Sequence, residues 1–372
     1  MVKSVFFFRP TLDEGGADRV TLTLLQHLDR SRFRPTLVLM RAVGASLAEL
    51  PSDVRVIELG SARLATSGVG LGRVLRREKP DVLFSTASAA NIPAVLAHRA
   101  TRSRGRLVLS ERSTLFRGRS RMHVRQRAEV SVKRLTYRLA DLVTAVSQGV
   151  ADELAVELRL DRDHIAVVYN PMVSERLAEL AGEPVDHPWF APTESTPVIL
   201  AVGRLIGLKD YPTLIEAFAR IRERVPARLV VLGSGPLEGD LVERVRARGL
   251  AGQVDFAGFQ ANPFKFMARA RLLMQSSRVE GLPGSLIQAM ACGTPVVSTD
   301  CDYGPREVIA EPGRDGFLVP VGDAAALAER AVALLESPAL CAAVGQAARR
   351  SAERFSLAAS MSRYQQAIGG QA

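Results

Sequence analysis

Cysteine is scarce in this chain of 372 residues, and Cys292, Cys301 and Cys341 form an odd, unpatterned set. A disulfide framework is therefore excluded as the source of its stability. Histidine occurs five times, at 27, 98, 123, 164 and 187, with no spacing that would gather metal ligands. No run approaches the ~18 apolar residues that a membrane-spanning helix needs. The apolar Val5-Phe-Phe-Phe8 is cut off by Arg9-Pro10; it is too short for a signal peptide and reads as a buried first strand, with the cytoplasm as the expected compartment. Short repeats and low-complexity segments are missing as well.

What the chain does contain is 47% apolar and 24% charged residues, the balance of a globular protein. Its length favours two domains of roughly 180 residues. The net charge of +10 is uneven: from Arg99 to Arg138 there are thirteen Arg or Lys against two acidic residues, Glu111 and Glu129. Such a block suits an anionic partner, or else is a solvated helix face.

Short apolar runs alternate with amphipathic segments throughout. A first series of strands is expected at 5–8, 36–39, 54–57, 82–84, 107–109, 142–145 and 165–168. A second is expected at 198–202, 228–232, 254–256, 272–275, 295–298 and 317–319. Several are continuous apolar runs, as parallel strands covered on both faces require. Between them lies helical spacing, as in Leu214, Ile215, Phe218 and Ile221. This rhythm predicts doubly wound α/β domains. Glu183–Pro197 holds four prolines and reads as a linker. The expected division is an N-terminal domain over 1–185, a C-terminal domain over 186–355, and a closing helix over 356–372 packed back on the first domain.

Two stretches carry most of the chemistry. Val202-Gly203-Arg204-Leu-Ile-Gly-Leu-Lys209 places two cations just past a strand, where open α/β sheets bind ligands. Arg204 and Lys209 there suit a diphosphate, or are ordinary surface charges at a βα turn. Asp210, with Pro212 behind it, is a candidate helix cap. Glu280-Gly-Leu-Pro-Gly284-Ser285-Leu286-Ile-Gln288 sets a carboxylate on a Gly/Pro loop that opens a helix. Its first backbone N–H groups and dipole favour an anion, and its acid suits sugar hydroxyls, unless Glu280 is simply a capping acid. Turns at Gly233-Ser-Gly235 and Ala257-Gly258 follow two further strands and allow close backbone approach. Together these residues are equipped to hold a nucleotide-sugar. In the first half, Gly15-Gly16 follows strand one but lacks the G-x-G-x-x-G spacing and any Walker lysine.

In Gly15-Gly16, Ala145-Val-Ser147, Val168-Tyr-Asn170-Pro171, Gly203-Arg204…Lys209 and Glu280…Gln288-Ala-Met-Ala-Cys-Gly-Thr-Pro295, the chain resembles the retaining glycosyltransferases of family 4 (group 1). The resemblance covers nearly the whole chain and is strongest from 198 to 309. It implies the GT-B architecture, two facing Rossmann-like domains with a cleft between them. It also implies that Arg204 and Lys209 hold the donor diphosphate, that Glu280 bonds the donor sugar, and that the N–H groups of 284–286 cradle sugar and phosphate. Residue 288 would meet the ribose, and Gly16 would approach the phosphate from the first domain. The family's second acid is Gln288 here, an amide that still bonds ribose hydroxyls. The histidine that many relatives carry after the fifth strand is missing from Leu109-Ser110-Glu111-Arg112-Ser113, which leaves Glu111 and Arg112 as substitutes.

The expected reaction is transfer of a sugar from a nucleoside diphosphate to an acceptor hydroxyl with retention, in bacterial surface polysaccharide or glycolipid assembly. The acceptor is expected to be lipid-linked or a saccharide, with Met122–Leu139 on an anionic membrane surface. No metal and no other cofactor is expected, since Asp300-Cys-Asp302 alone rarely makes a site. Competing readings are a non-catalytic nucleotide-sugar binder and an epimerase on the same fold. Nucleic acid is not an expected partner, because the basic block lacks interleaved aromatics beyond Phe116 and Tyr137.

Overall fold

The computed structural model describes residues 1–13, 16–115 and 124–370. The chain divides into two compact units, Met1–Pro171 with Ala358–Ala372, and Met172–Leu357.

In the first unit the order is β1 (Lys3–Arg9), α1 (Gly16–His27), β2 (Phe33–Leu39), β3 (Arg55–Glu58), α2 (Leu64–Glu78), β4 (Val82–Ser85), α3 (Ser88–Ala100), β5 (Arg106–Glu111), α4 (Val124–Tyr137), β6 (Leu142–Ala145), α5 (Gln148–Leu158) and β7 (Ile165–Val167). The strands form one parallel sheet in the order β3-β2-β1-β4-β5-β6-β7. Phe6 faces Thr36 on one neighbour and Leu83 on the other. Val5, Phe7 and Phe8 are fully buried, which explains why β1 is apolar without alternation.

The second unit runs α6 (Glu175–Gly182), β8 (Val198–Val202), α7 (Tyr211–Arg222), β9 (Arg228–Leu232), α8 (Glu238–Ala247), β10 (Val254–Phe256), α9 (Phe264–Met267), β11 (Leu272–Gln275), α10 (Gly284–Ala291), β12 (Val296–Thr299), α11 (Pro305–Val308), β13 (Phe317–Val319), α12 (Ala324–Glu336) and α13 (Pro338–Ala352). Its sheet is also parallel, ordered β10-β9-β8-β11-β12-β13. Leu214, Ile215, Phe218 and Ile221 of α7 enter the same core as Ile199, Leu229 and Met274. The chain ends in α14 (Leu357–Gly369), most of which belongs to the first unit. There Tyr364 is buried with its ring 6.2 Å from Phe84, and Lys3 Nζ donates to Gly369 O at 2.8 Å.

The proline-rich stretch does not lie between the units. It belongs to the second, where the Phe190 ring stands 5.4 Å from Phe266 and Arg228 lies over Trp189 at 5.1 Å. Trp189 and Phe190 supply the apolar area that holds this segment down.

Each sheet changes direction once. β1 has β2 on one side and β4 on the other, and β8 likewise has β9 and β11. Such switch points leave a crevice beyond the carboxyl ends of the strands, the usual ligand position in open α/β sheets.

Candidate functional site

The switch point of the second sheet brings together two loops that are far apart in sequence. Lys209, after β8, and Glu280, after β11, meet there, with Lys209 Nζ donating to Glu280 Oε1 at 2.5 Å. Ser277 Oγ donates to the same oxygen at 2.7 Å. The pair is mostly shielded, with side-chain exposures of 21% and 11%. Both loops are fastened from below. Ser276 Oγ donates to the carbonyls of Lys209 and Asp210 at 2.8 and 2.9 Å, and Arg278 N donates to Leu208 O at 2.8 Å.

Asp210 does not cap α7 as its position suggests. It sits in the left-handed region at φ +47° with no side-chain bond to the helix N–H groups. Its carboxylate accepts instead from Thr213 Oγ1 at 2.9 Å and pairs with Arg278 Nη2 at 2.9 Å. That pairing ties the β8 loop to the β11 loop and so presets the position of Lys209. Gly203 gives Lys209 its space, since a Cβ there would lie 3.3 Å from Lys209 Cε. Tyr211 donates its hydroxyl to Gly203 O at 2.9 Å; burial, then the charge of Glu280, push its phenol well above the usual range.

The other anticipated residues fall around this pair. Arg204 is exposed on the same loop and enters no ion pair among the described residues. Gly233 and Gly235 pack on that loop, where a Cβ at 235 would lie 2.5 Å from Leu205 O, so backbone crossing explains that glycine without any ligand. Gly258 O accepts from Gly233 N at 2.7 Å. Gly284 and Ser285 open α10, and Pro283 before them makes no side-chain cap; the first N–H groups of such a helix are left over for an external acceptor. Leu286 differs from expectation: its side chain is buried and its N–H is taken by Pro283 O at 3.1 Å. Gln288 is half-buried on the next turn. Asp300 pairs with Arg306, and among the described residues no three His, Cys, Asp or Glu cluster as metal ligands.

In the first unit, Gly15 lies outside the described residues, as do 117, 119 and 121 of the basic block. Gly16 is exposed at the start of α1. Sequence reasoning missed Arg9, a cation closing the apolar run Val5–Phe8, which is the signal that could have found it. Its guanidinium pairs with Asp18 and reaches Thr21 Oγ1 and Thr11 O, both at 2.5 Å. Burial is the main reason its pKa falls to about 10, with Asp18 opposing and Arg112 assisting the fall. Glu111 is not an open ligand. It is fully buried at the end of β5, where its Oε2 accepts from Tyr137 at 2.7 Å and from Lys133 at 3.2 Å.

Burial raises all three thiols above their usual range. Burial, then Glu280, push Cys301 up to about 12, and burial pushes Cys292 up to about 11. A thiol that stays protonated is inert. We expect Ellman's reagent at about pH 8 to label the native protein slowly, and all three cysteines at once in denaturant.

Residues 186–351 match the model for glycosyl transferases group 1, and residues 14–176 match that for glycosyltransferase family 4. The chain belongs to these glycosyltransferases. Its enzyme class, of hexosyltransferase type, follows from that membership. A Campylobacter jejuni N-acetylgalactosamine-N,N'-diacetylbacillosaminyl-diphospho-undecaprenol 4-alpha-N-acetylgalactosaminyltransferase is 28% identical over 355 residues, 93% of each chain. A glycosyltransferase of Methanocaldococcus jannaschii is 28% identical over 242 residues; the match takes in 64% of this chain and 60% of that one. Among solved structures, Anabaena HepE in complex with UDP and glucose gives a TM-score of 0.79 at 20% identity, covering 99% of both chains. A Rickettsia africae glycosyltransferase gives 0.80 at 18% identity, covering 100% of this chain and 98% of that one. The fold is that of the GT-B glycosyltransferases.

Proposed function

We propose that this glycosyltransferase moves a sugar from a nucleoside diphosphate to an acceptor hydroxyl with retention of anomeric configuration, in bacterial glycolipid or surface-polysaccharide assembly. The observation that carries the reading is the Lys209–Glu280 pair at the switch point of the second sheet, beside Arg204 and the uncapped start of α10. In this reading Lys209, held in a shielded position, and the exposed Arg204 neutralise the departing diphosphate. Glu280 keeps Oε2 for a hydroxyl of the donor sugar. Gln288 serves the ribose through its amide. No protein nucleophile is required when the acceptor attacks from the face the diphosphate leaves, its proton passing to the departing phosphate oxygen. No metal is assigned a role.

The acceptor assignment draws on the Campylobacter relative, whose name specifies a diphospho-undecaprenol substrate. It draws also on α4, where Leu135 is 66% exposed beside exposed Val132, with exposed Leu139 just past the helix end. Apolar side chains on a basic helix suit an anionic lipid surface. Among the described residues no single helix is long and apolar enough to cross a membrane.

Thermal unfolding against UDP, GDP, ADP and their sugar conjugates tests the donor reading. A ligand at ~100 times its dissociation constant adds about 2.7 kcal/mol to native stability. A rise in the midpoint with one base names the donor class, and no rise with any of them overturns the reading.

A further inference from the structure

The guanidinium of Arg112 is the most conspicuous uncompensated charge among the described residues. Arg112 follows β5 at the carboxyl edge of the first sheet, its backbone N–H donating to Ser88 Oγ at 3.4 Å where α3 begins. Its Nε, Nη1 and Nη2 are all shut away from solvent, and none has a hydrogen-bond partner. A guanidinium carries five donors in a fixed fork. Burying one unpaired is strongly unfavourable, and proteins rarely do so without an anion to receive it.

The nearby carboxylates make their side-chain bonds to groups other than Arg112. Asp18 pairs with Arg9, and Glu111 gives its Oε2 to Lys133 and Tyr137. The positive fields of Arg9 and Arg112 overlap, since Arg112 contributes to the lowered pKa of Arg9. Unpartnered acceptors lie at the same sheet edge: Glu111 Oε1, Asn91 Oδ1 and Ser85 Oγ are buried without a hydrogen bond. One fork of donors and several acceptors describe a subsite for a group that carries both an anion and hydroxyls.

We propose that Arg112 anchors an anion-binding subsite in the first unit that receives a phosphate, diphosphate or carboxylate carried by the acceptor. The planar fork of Arg suits two oxygens of one such group. The role as acceptor subsite rests on the transferase reading above, in which the donor diphosphate is met by Arg204 and Lys209 of the second unit. The existence of the anion site rests on Arg112 alone.

Calorimetric titration of the full chain with inorganic pyrophosphate separates the two, run with and without saturating UDP. Expected is binding that persists under UDP and weakens about ten- to hundredfold in Arg112→Gln, the range for losing charge-assisted hydrogen bonds. Arg112→Met, which keeps much of the volume, should lose it equally and guards against a variant that does not fold. Pyrophosphate binding unchanged in both variants, or missing from the wild type, overturns the proposal. Weakened UDP binding in Arg112→Gln with pyrophosphate unaffected would assign the anion to the donor and overturn the acceptor role. Failure of UDP, GDP and ADP alike to bind the wild type would remove the donor reading while the pyrophosphate titration still decides the Arg112 site.

Discussion

Lys209→Ala should lower glycosyl transfer about 10²- to 10³-fold, the usual effect of removing one preorganised group that meets developing charge. The ammonium is not a loose surface cation. It is held over Gly203 by the backbone, by Ser276 at the Lys209 carbonyl, and by Glu280 at 2.5 Å. A group already in position needs no reorganisation when the diphosphate takes on charge. Its removal also leaves Glu280 with Ser277 alone. Because the pair is shielded but not sealed, the loss of stability should fall between ~1 kcal/mol for a surface pair and ~3 kcal/mol for a buried one. Glu280→Gln separates charge from shape, since an amide oxygen still accepts from Ser277 and Lys209 while the negative charge is gone. Transfer should fall by a comparable factor with a smaller change in melting midpoint. If the two side chains act as a unit, the double variant will be no slower than the worse single one. Steady-state kcat and KM with the donor named by the thermal panel provide the check. Near-normal turnover in either single variant would remove that residue from the mechanism.

Central strands were legible because burial on both faces writes itself as a continuous apolar run. Val198–Val202 and Leu272–Gln275, which flank the site, occur where the runs stand. The edge strand β3 was expected one residue early, and its burial explains why: only Ile57 is even half-buried, so there is little apolar signal to set its limits. Prolines misled the reading of Glu183–Pro197. They mark backbone that is neither helix nor strand, but Trp189 and Phe190 anchor that backbone to the second unit. The unit boundary after Pro171 has no such compositional mark, because contacts define it. Arg204, Lys209 and Glu280 could be placed at strand ends from sequence alone. That Lys209 and Glu280 touch across 71 residues follows only from β8 and β11 being neighbours. The burial of Arg112 was equally out of reach, since its position after β5 was plain but its missing partners are a matter of packing.

Gly233→Ala should be severely destabilising, although it adds a single methyl group. Gly233 has φ +136°, and a Cβ there would stand 2.1 Å from Gly203 O. The obstacle is backbone, so no rotamer change relieves it. Gly203 O is also fixed, as the acceptor for Tyr211. Gly258→Ala is the milder comparison: its φ of +68° lies in the left-handed region that alanine enters at modest cost, whereas +136° is essentially open to glycine alone, and a Cβ at 258 meets nothing within 4 Å. Conformational strain alone should therefore cost about 1–2 kcal/mol at Gly258. At Gly233 the displaced carbonyl adds to it and should carry the total above ~4 kcal/mol. Urea unfolding midpoints of the two variants measure the difference. The consequence reaches function, because the carbonyl that must move belongs to the loop bearing Arg204 and Lys209. Any Gly233→Ala protein that still folds should lose the thermal shift from the nucleotide that stabilises the wild type, while Gly258→Ala keeps most of it. Equal midpoints for the two variants would mean that the turns after β8 and β9 do not approach as closely as described. The placement of Lys209 would then need another support.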